Sequence, residues 1–183
     1  MDVDSAIKSR KSVRGFKDKK PDWRDIIDCI DKVRFSPSAG KNFTLKIILV
    51  NDKAKIQKIA NAAEQSFIAE AQYVVVIYSD PSRLISLFEN KGKTYSRQQA
   101  GAAMENLLLA IEDKGLSTCW VGHFDENMIK KELKIPPKME IEALFPVGYE
   151  FGKTAKRNRI NLDSILYFNE HGKKKMNTPK TPQ

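Results

Sequence analysis

Cysteine and histidine are scarce in this chain of 183 residues, which holds two of each. Cys29 and Cys119 form no CxxC and cannot build a disulfide framework. Each stands among apolar neighbours, the setting of a buried, reduced thiol. His123 and His171 are far apart and no HExxH occurs, so no zinc-ligand spacing exists and no metal is expected. The chain also lacks a GxGxxG after a strand and a Walker A loop, which sets aside the common dinucleotide and nucleoside-triphosphate folds. No apolar run approaches the roughly 18 residues that a membrane span requires. The start, Met1-Asp2-Val3-Asp4, has no basic stretch leading into an apolar core. A signal peptide is therefore not expected, and the expected location is the cytoplasm.

What is present suits one globular domain with a real core: 41% hydrophobic and 30% charged residues over an ordinary domain length. Lys and Arg outnumber Asp and Glu by 32 to 23, a net charge of +9. Such a balance invites a nucleic-acid or membrane reading, so the address of the charge matters. Segments 8–24, 153–159 and 172–183 carry +6, +4 and +4, which leaves the rest of the chain acidic. The basicity is local. A single domain over 1–171 and a basic, disordered tail over 172–183 are expected, because the tail has too little hydrophobicity to pack.

Hydrophobic spacing gives a coarse order of elements. A short first helix begins at an Asp4 or Ser5 cap and carries Ile7. Asp22 caps a second helix with Ile26, Ile27, Ile30 and Val33 on one face. Ser36-Pro37-Ser38-Ala39-Gly40 ends it, since Pro37 disfavours helical geometry at Ser36. Leu45 to Val50 reads as a strand buried on both faces. A helix follows over about 54–70, then a second strand over Tyr73 to Tyr78. Residues 82–94 fit either a short helix or a lid. The most apolar helix runs over about 96–114 and ends at Gly115. Asp125 caps a further helix to Leu133, and Glu140 to Tyr149 gives a third strand. This order argues α+β, not a clean Rossmann alternation.

Four segments carry chemistry-bearing residues. Arg10-Lys11-Ser12-Val13-Arg14-Gly15-Phe16 places two guanidiniums four residues apart with a hydroxyl between them. That set is either a phosphate fork or a solvated basic loop. Arg157-Asn158-Arg159 is a second arginine pair far along the chain. The Ser36–Gly40 loop is either a helix stop or a place where backbone approaches a flat ligand. In Gly115-Leu116-Ser117-Thr118-Cys119-Trp120-Val121-Gly122, Gly122 lets main-chain N–H groups reach a ligand edge, while Trp120 fits core packing equally well.

Taken in order, these segments resemble the nitroreductase family of FMN-dependent oxidoreductases, over about 9–162. The pattern Arg-Arg-Ser-Val-Arg-x-Phe appears as Arg10 to Phe16, and Ser/Ala-Pro-Ser-Ala-Gly as Ser36 to Gly40. Asn-Leu-x-Leu-Ala is Asn106 to Ala110. Gly-Leu-x-x-Cys-Trp-x-Gly-x-Phe is Gly115 to Phe124, and Pro-Val-Gly-Tyr is Pro146 to Tyr149. The late basic pair is Arg157 and Arg159. The resemblance implies a nitroreductase-like α/β sandwich, with a central mixed sheet flanked by helices. It also implies a homodimer holding FMN at the subunit interface.

By the same resemblance, Arg10, Lys11, Ser12, Arg157 and Arg159 would surround the FMN phosphate, and Arg14 would face the flavin N1–O2 edge. Pro37, Ser38 and Ala39 would come from the partner subunit, and the backbone at Gly122 and His123 would face N5 and O4. No catalytic side chain is needed, because the flavin carries the chemistry. NAD(P)H would give hydride to N5 and leave. A small oxidised acceptor such as a nitroaromatic or quinone would then take it, in a ping-pong cycle.

Two departures bear on the pocket. After Gly40 the family continues Asn-x-Gln-Pro-Trp, whereas this chain reads Lys41-Asn42-Phe43-Thr44-Leu45. An acidic residue seven before Asn106 is Gln99 here. Same-fold alternatives are a dehalogenase, a flavin-cleaving enzyme or a deazaflavin-linked one. A basic nucleic-acid-binding module is the reading of a different class. It needs basic residues interleaved with exposed aromatics, and the aromatics at hand, Phe16, Trp23 and Phe35, fit core positions equally well. No specific nucleic acid and no membrane partner are expected.

Overall fold

The structure is a computed structural model that describes residues 1–155 and 158–176. Its centre is a four-stranded sheet made of β1 (Leu45–Val50), β2 (Tyr73–Ser79), β3 (Ser117–Thr118) and β4 (Glu140–Gly148). The strands stand in the order β1-β2-β4-β3 and all pair antiparallel. The parallel component of the expected mixed sheet is a single bridge, Ser12 to Thr118. The class is α+β, as the order of elements implies.

Alternation along the strands sorts side chains into two layers. Tyr73, Val75 and Ile77 of β2, with Ala143, Phe145 and Val147 of β4, face one core. There they meet α2 (Trp23–Asp31) and the long α5 (Asn90–Asp113). Val74 and Val76, with Ile141 and Leu144, face the other core, under α3 (Lys53–Ala62) and α6 (Glu126–Leu133). Ile141 and Leu144 share a face only because the register shifts at Ile77/Tyr78. Glu142 is the extra residue of that bulge, and Ser79 Oγ donates to it at 2.5 Å.

Several boundaries differ from the expected ones for identifiable reasons. The first helix, α1 (Val3–Ser9), is capped by Asp2, whose carboxylate accepts from the Ser5 N–H. The helix expected over 54–70 stops at Ala62, because Glu64 takes a left-handed φ of 53°. A separate 3₁₀ turn, Ser66–Glu70, then buries Ile68. The strand β1 is a sheet edge, so Lys46 is exposed and Ile47 to Leu49 are half-buried. Residues 82–94 form α4 (Ser82–Phe88) and the first turn of α5, which thus begins before Ser96. Asp22 and Asp125 cap α2 and α6 as expected, and Gly115 ends α5 at φ 69°. Phe16 is buried, whereas Trp23 and Phe35 are exposed. Among the described residues beyond β4, only the short α7 (Leu162–Ile165) is a regular element.

Among the described residues, no helix is long and apolar enough to cross a membrane, and no cluster of His, Cys, Asp or Glu could hold a metal ion.

Candidate functional site

The segment 10–17 threads between β3 and the end of β4. Ser12 bridges Thr118, and the Val13 N–H donates to Thr118 O at 2.9 Å. Phe16 bridges Glu150, and the Lys17 N–H donates to Tyr149 O at 2.8 Å. Val13 and Phe16 are buried, which anchors the segment, while Ser12 and Arg14 on either side of Val13 are exposed. Gly148 is needed here. A Cβ on it would lie 3.0 Å from the Phe16 ring. Extended backbone with two buried anchors therefore presents the polar residues in a fixed order.

Chain returning from β4 closes a cleft of about 360 Å³ over this segment. Arg10, Lys11, Ser12 and Arg14 line one side, and Thr154, Ala155 and Arg159 the other. One Nη of Arg159 donates to the Arg10 carbonyl at 3.1 Å, so the two basic segments are tied together. Arg10 Nε lies 3.6 Å from Glu105 Oε1 on α5. Arg157 falls outside the described residues.

Lys11 is differently placed. Its Nζ lies 2.7 Å from Glu150 Oε2, and the Thr154 N–H donates to Glu150 Oε1 at 2.7 Å. Burial pushes the Glu150 pKa up, but the bonds from Lys11 and Thr154 outweigh it and hold the carboxyl at about 2. The Lys11 charge is thereby matched within the protein. Sequence reasoning missed Glu105, Glu150 and Thr154, for which no spacing signal exists.

The other expected site residues lie elsewhere in the subunit. Pro37, Ser38 and Ala39 line a separate groove of about 300 Å³ with Tyr95, Gln98, Gln99 and Ala102. Gly122 and His123 are exposed and follow Val121, whose backbone exchanges 3.0 Å bonds with Leu144. Trp120 is partly exposed and meets Phe145 edge-on at 5.6 Å. Neither cysteine is available as a nucleophile. Burial raises the Cys29 thiol to about 12, and burial raises Cys119 too, against the pull of Arg14 and Ser12.

The donor set of the cleft fits a phosphate. Three guanidiniums and the Ser12 hydroxyl line it, and its two lysines, Lys8 and Lys11, are each paired with a carboxylate, Asp4 and Glu150. Thr118, bridged to Ser12, carries a buried hydroxyl without a partner, the single such side-chain atom among the described residues. A buried unpaired hydroxyl costs about 1–3 kcal/mol, and Thr118 lies behind the cleft without lining it.

Comparison with known proteins agrees with this geometry. A model of the nitroreductase family matches residues 7–73 and 61–149. An iodotyrosine deiodinase from Thermotoga neapolitana is 28% identical over 158 residues, 78% of this chain and 85% of that protein. The crystal structure of a nitroreductase family protein from Clostridium novyi NT superposes with a TM-score of 0.77 at 28% identity, covering 94% of this chain and 96% of that one. An FMN-dependent nitroreductase from Clostridium difficile R20291 shares the fold at a TM-score of 0.79 and 22% identity, covering 92% and 99%.

Proposed function

Because the chain belongs to the nitroreductase family of oxidoreductases, we propose that it is an FMN-dependent enzyme acting as a homodimer. Hydride from NAD(P)H would pass by way of the flavin to a small oxidised acceptor, such as a nitroaromatic or quinone, in a ping-pong cycle. The observation that carries this reading is the convergence of Arg10, Ser12, Arg14 and Arg159 on one cleft from opposite ends of the chain.

Bound FMN supplies a reversible hydride carrier, so the protein's task is binding, orientation and charge. Arg10, Ser12 and Arg159, with the adjoining Arg157, hold the phosphate dianion. Arg14 sets positive charge against the N1–O2 edge, where negative charge builds up on reduction. Lys11 contributes indirectly, by neutralising Glu150. Pro37, Ser38 and Ala39 would reach the flavin across the subunit interface, and the backbone at Gly122 and His123 would face N5 and O4.

A second reading draws on the iodotyrosine deiodinase relative: the acceptor is a halogenated aromatic, and halide is the second product. The two readings share every cofactor contact and differ only in the acceptor.

Titration of the purified protein with FMN is the deciding experiment. Binding gives a shift in the flavin absorption band and a rise in melting temperature that grows with ligand concentration. A colourless protein that shows neither sinks the flavoprotein reading. Stopped-flow bleaching of the bound flavin with NADH, NADPH and a deazaflavin in turn identifies the donor. Halide release set against nitro and quinone reduction then separates the two acceptors.

A further inference from the structure

We propose that Gln99 is a positioning residue for the cofactor. Its carboxamide clamps the 37–44 loop to α5 and so fixes Pro37, Ser38 and Ala39 where they meet the flavin. The inference rests on the flavoprotein reading above.

The clamp is a buried polar network. Gln99 Oε1 accepts from the Thr44 N–H at 2.8 Å and from Thr44 Oγ1 at 2.7 Å. Gln99 Nε2 donates to the Asn42 carbonyl at 3.2 Å. Ser96 Oγ lies 3.0 Å from Thr44 Oγ1. Since the Thr44 hydroxyl spends its proton on Gln99, Ser96 must be the donor in that pair. Gln99, Thr44, Ser96 and Asn42 are all buried. Only one orientation of the Gln99 amide meets two donors with its oxygen and a carbonyl with its nitrogen.

The loop needs such a hold. Gly40 and Lys41 both take left-handed backbone, at φ 55° and 58°. That conformation is strained for the lysine, at about 1 kcal/mol. Asn42 Nδ2 bonds back to the Gly40 carbonyl at 2.8 Å. The Cβ position of Gly40 lies 3.2 Å from Asn42 Nδ2 and 3.4 Å from the Phe88 ring, so the turn is packed against α4. The loop is thus braced by α4 above and by Gln99 below. Gln99 lines the same groove as Pro37, Ser38 and Ala39.

The two departures from the family pattern also become one. Thr44 stands where that pattern has proline, which carries no N–H. A threonine there brings two donors into the interior, and the acceptor they share is the oxygen of Gln99. A carboxylate at position 99 could accept both donors but could not bond the Asn42 carbonyl.

The test compares wild type, Gln99→Leu and Gln99→Glu. It measures FMN affinity by fluorescence quenching, visible circular dichroism of the bound flavin, hydrogen exchange over 37–44, and melting of the FMN-free protein. Gln99→Leu is expected to weaken FMN binding about tenfold, to reduce the flavin dichroism band and to speed exchange at the Thr44 amide. Gln99→Glu, which keeps the acceptor for Thr44, is expected to fall between the two. It decides the question should the leucine variant fail to fold. Unchanged affinity and dichroism in both variants overturn the proposal, even if their melting temperatures fall. Loss of affinity without faster exchange over 37–44 overturns it too. The wild-type titration stands apart: if that protein binds no FMN, the flavoprotein reading itself has failed and this inference goes with it.

Discussion

A cation that lines a cleft fit for phosphate can be matched within the protein instead, as Lys11 is by Glu150. Both Glu150 oxygens lie within 2.8 Å of its ammonium. Replacing Lys11 by Met leaves a carboxylate without its counter-ion in the proposed phosphate site. FMN affinity should fall about tenfold, and adding Glu150→Gln should restore most of it. A direct phosphate contact by Lys11 would allow no such recovery. The same pair has an acid signature. Glu150 titrates at about 2 in the folded protein against an ordinary 4.5, so folding favours its charged form. That stabilisation is complete above about 4.5 and is lost as pH falls toward 2. Over that window the melting temperature of Glu150→Gln should fall less steeply than that of wild type. The guanidiniums behave otherwise: among the described residues the one carboxylate paired with those of the cleft is Glu105, 3.6 Å from Arg10 Nε. Arg10→Ala combined with Arg159→Ala should abolish FMN retention, and flavin that survives dialysis of the double variant would refute the phosphate assignment.

At the scale of elements, the corner between α4 and α5 is the most exacting feature. Glu89 turns it at φ 49° and ψ −128°, and the Gly92 N–H donates to the Glu89 carbonyl at 3.0 Å. A Cβ on Gly92 would lie 2.3 Å from the Leu84 carbonyl carbon and oxygen, backbone atoms that cannot swing aside. Gly92→Ala should therefore cost about 2–3 kcal/mol in urea unfolding, well above the effect of an ordinary exposed substitution. This corner is also where the sequence is hardest to read. Asp22, Asp125 and Gly115 announce their helix ends through side chains or φ preferences that belong to the residue itself. Glu64 and Glu89 take left-handed backbone with no such signal, because tertiary contacts impose it. The break at Glu64 lets Ile68 enter the core in a separate turn, which the unbroken apolar spacing from Ile56 to Phe67 conceals. The site divides the same way. Both arginine segments are visible as motifs, but that they share a cleft depends on the pairing of 12–17 with β3 and 149–151. Glu150 and the Gln99 network lie at the meeting of segments far apart in the chain, where no local pattern records them.

For the whole molecule, the distribution of apolar surface matters more than the net charge of +9. The basic segments 8–24 and 153–159 reach the cleft, so much of the charge that hints at nucleic acid gathers where the proposed cofactor's phosphate would sit. The chain after β4, in contrast, buries little of what it carries. Phe151 is 69% exposed, Ile160 68%, Leu162 62% and Ile165 59%, and α7 contains no buried residue. Lys173 and Lys174 do make contacts, with Glu170 and the Asp163 carbonyl, while residues 177–183 lie outside the described part. Four large apolar side chains exposed within 15 residues of sequence are more than a monomer normally leaves in water, and they suit an interface that covers them. If that interface is the homodimer, folding and assembly are linked, and the melting temperature should rise with protein concentration. Leu162→Asp with Ile165→Asp should then shift sedimentation from dimer to monomer. FMN affinity should fall in the same variant, although neither residue lines the phosphate cleft, because on the proposed dimer Pro37, Ser38 and Ala39 would be supplied across that interface. A wild type that sediments as a monomer while binding FMN tightly would break the argument at its first step. The cofactor contacts would then have to close within one subunit, whose cleft and Pro37–Ala39 groove are separate.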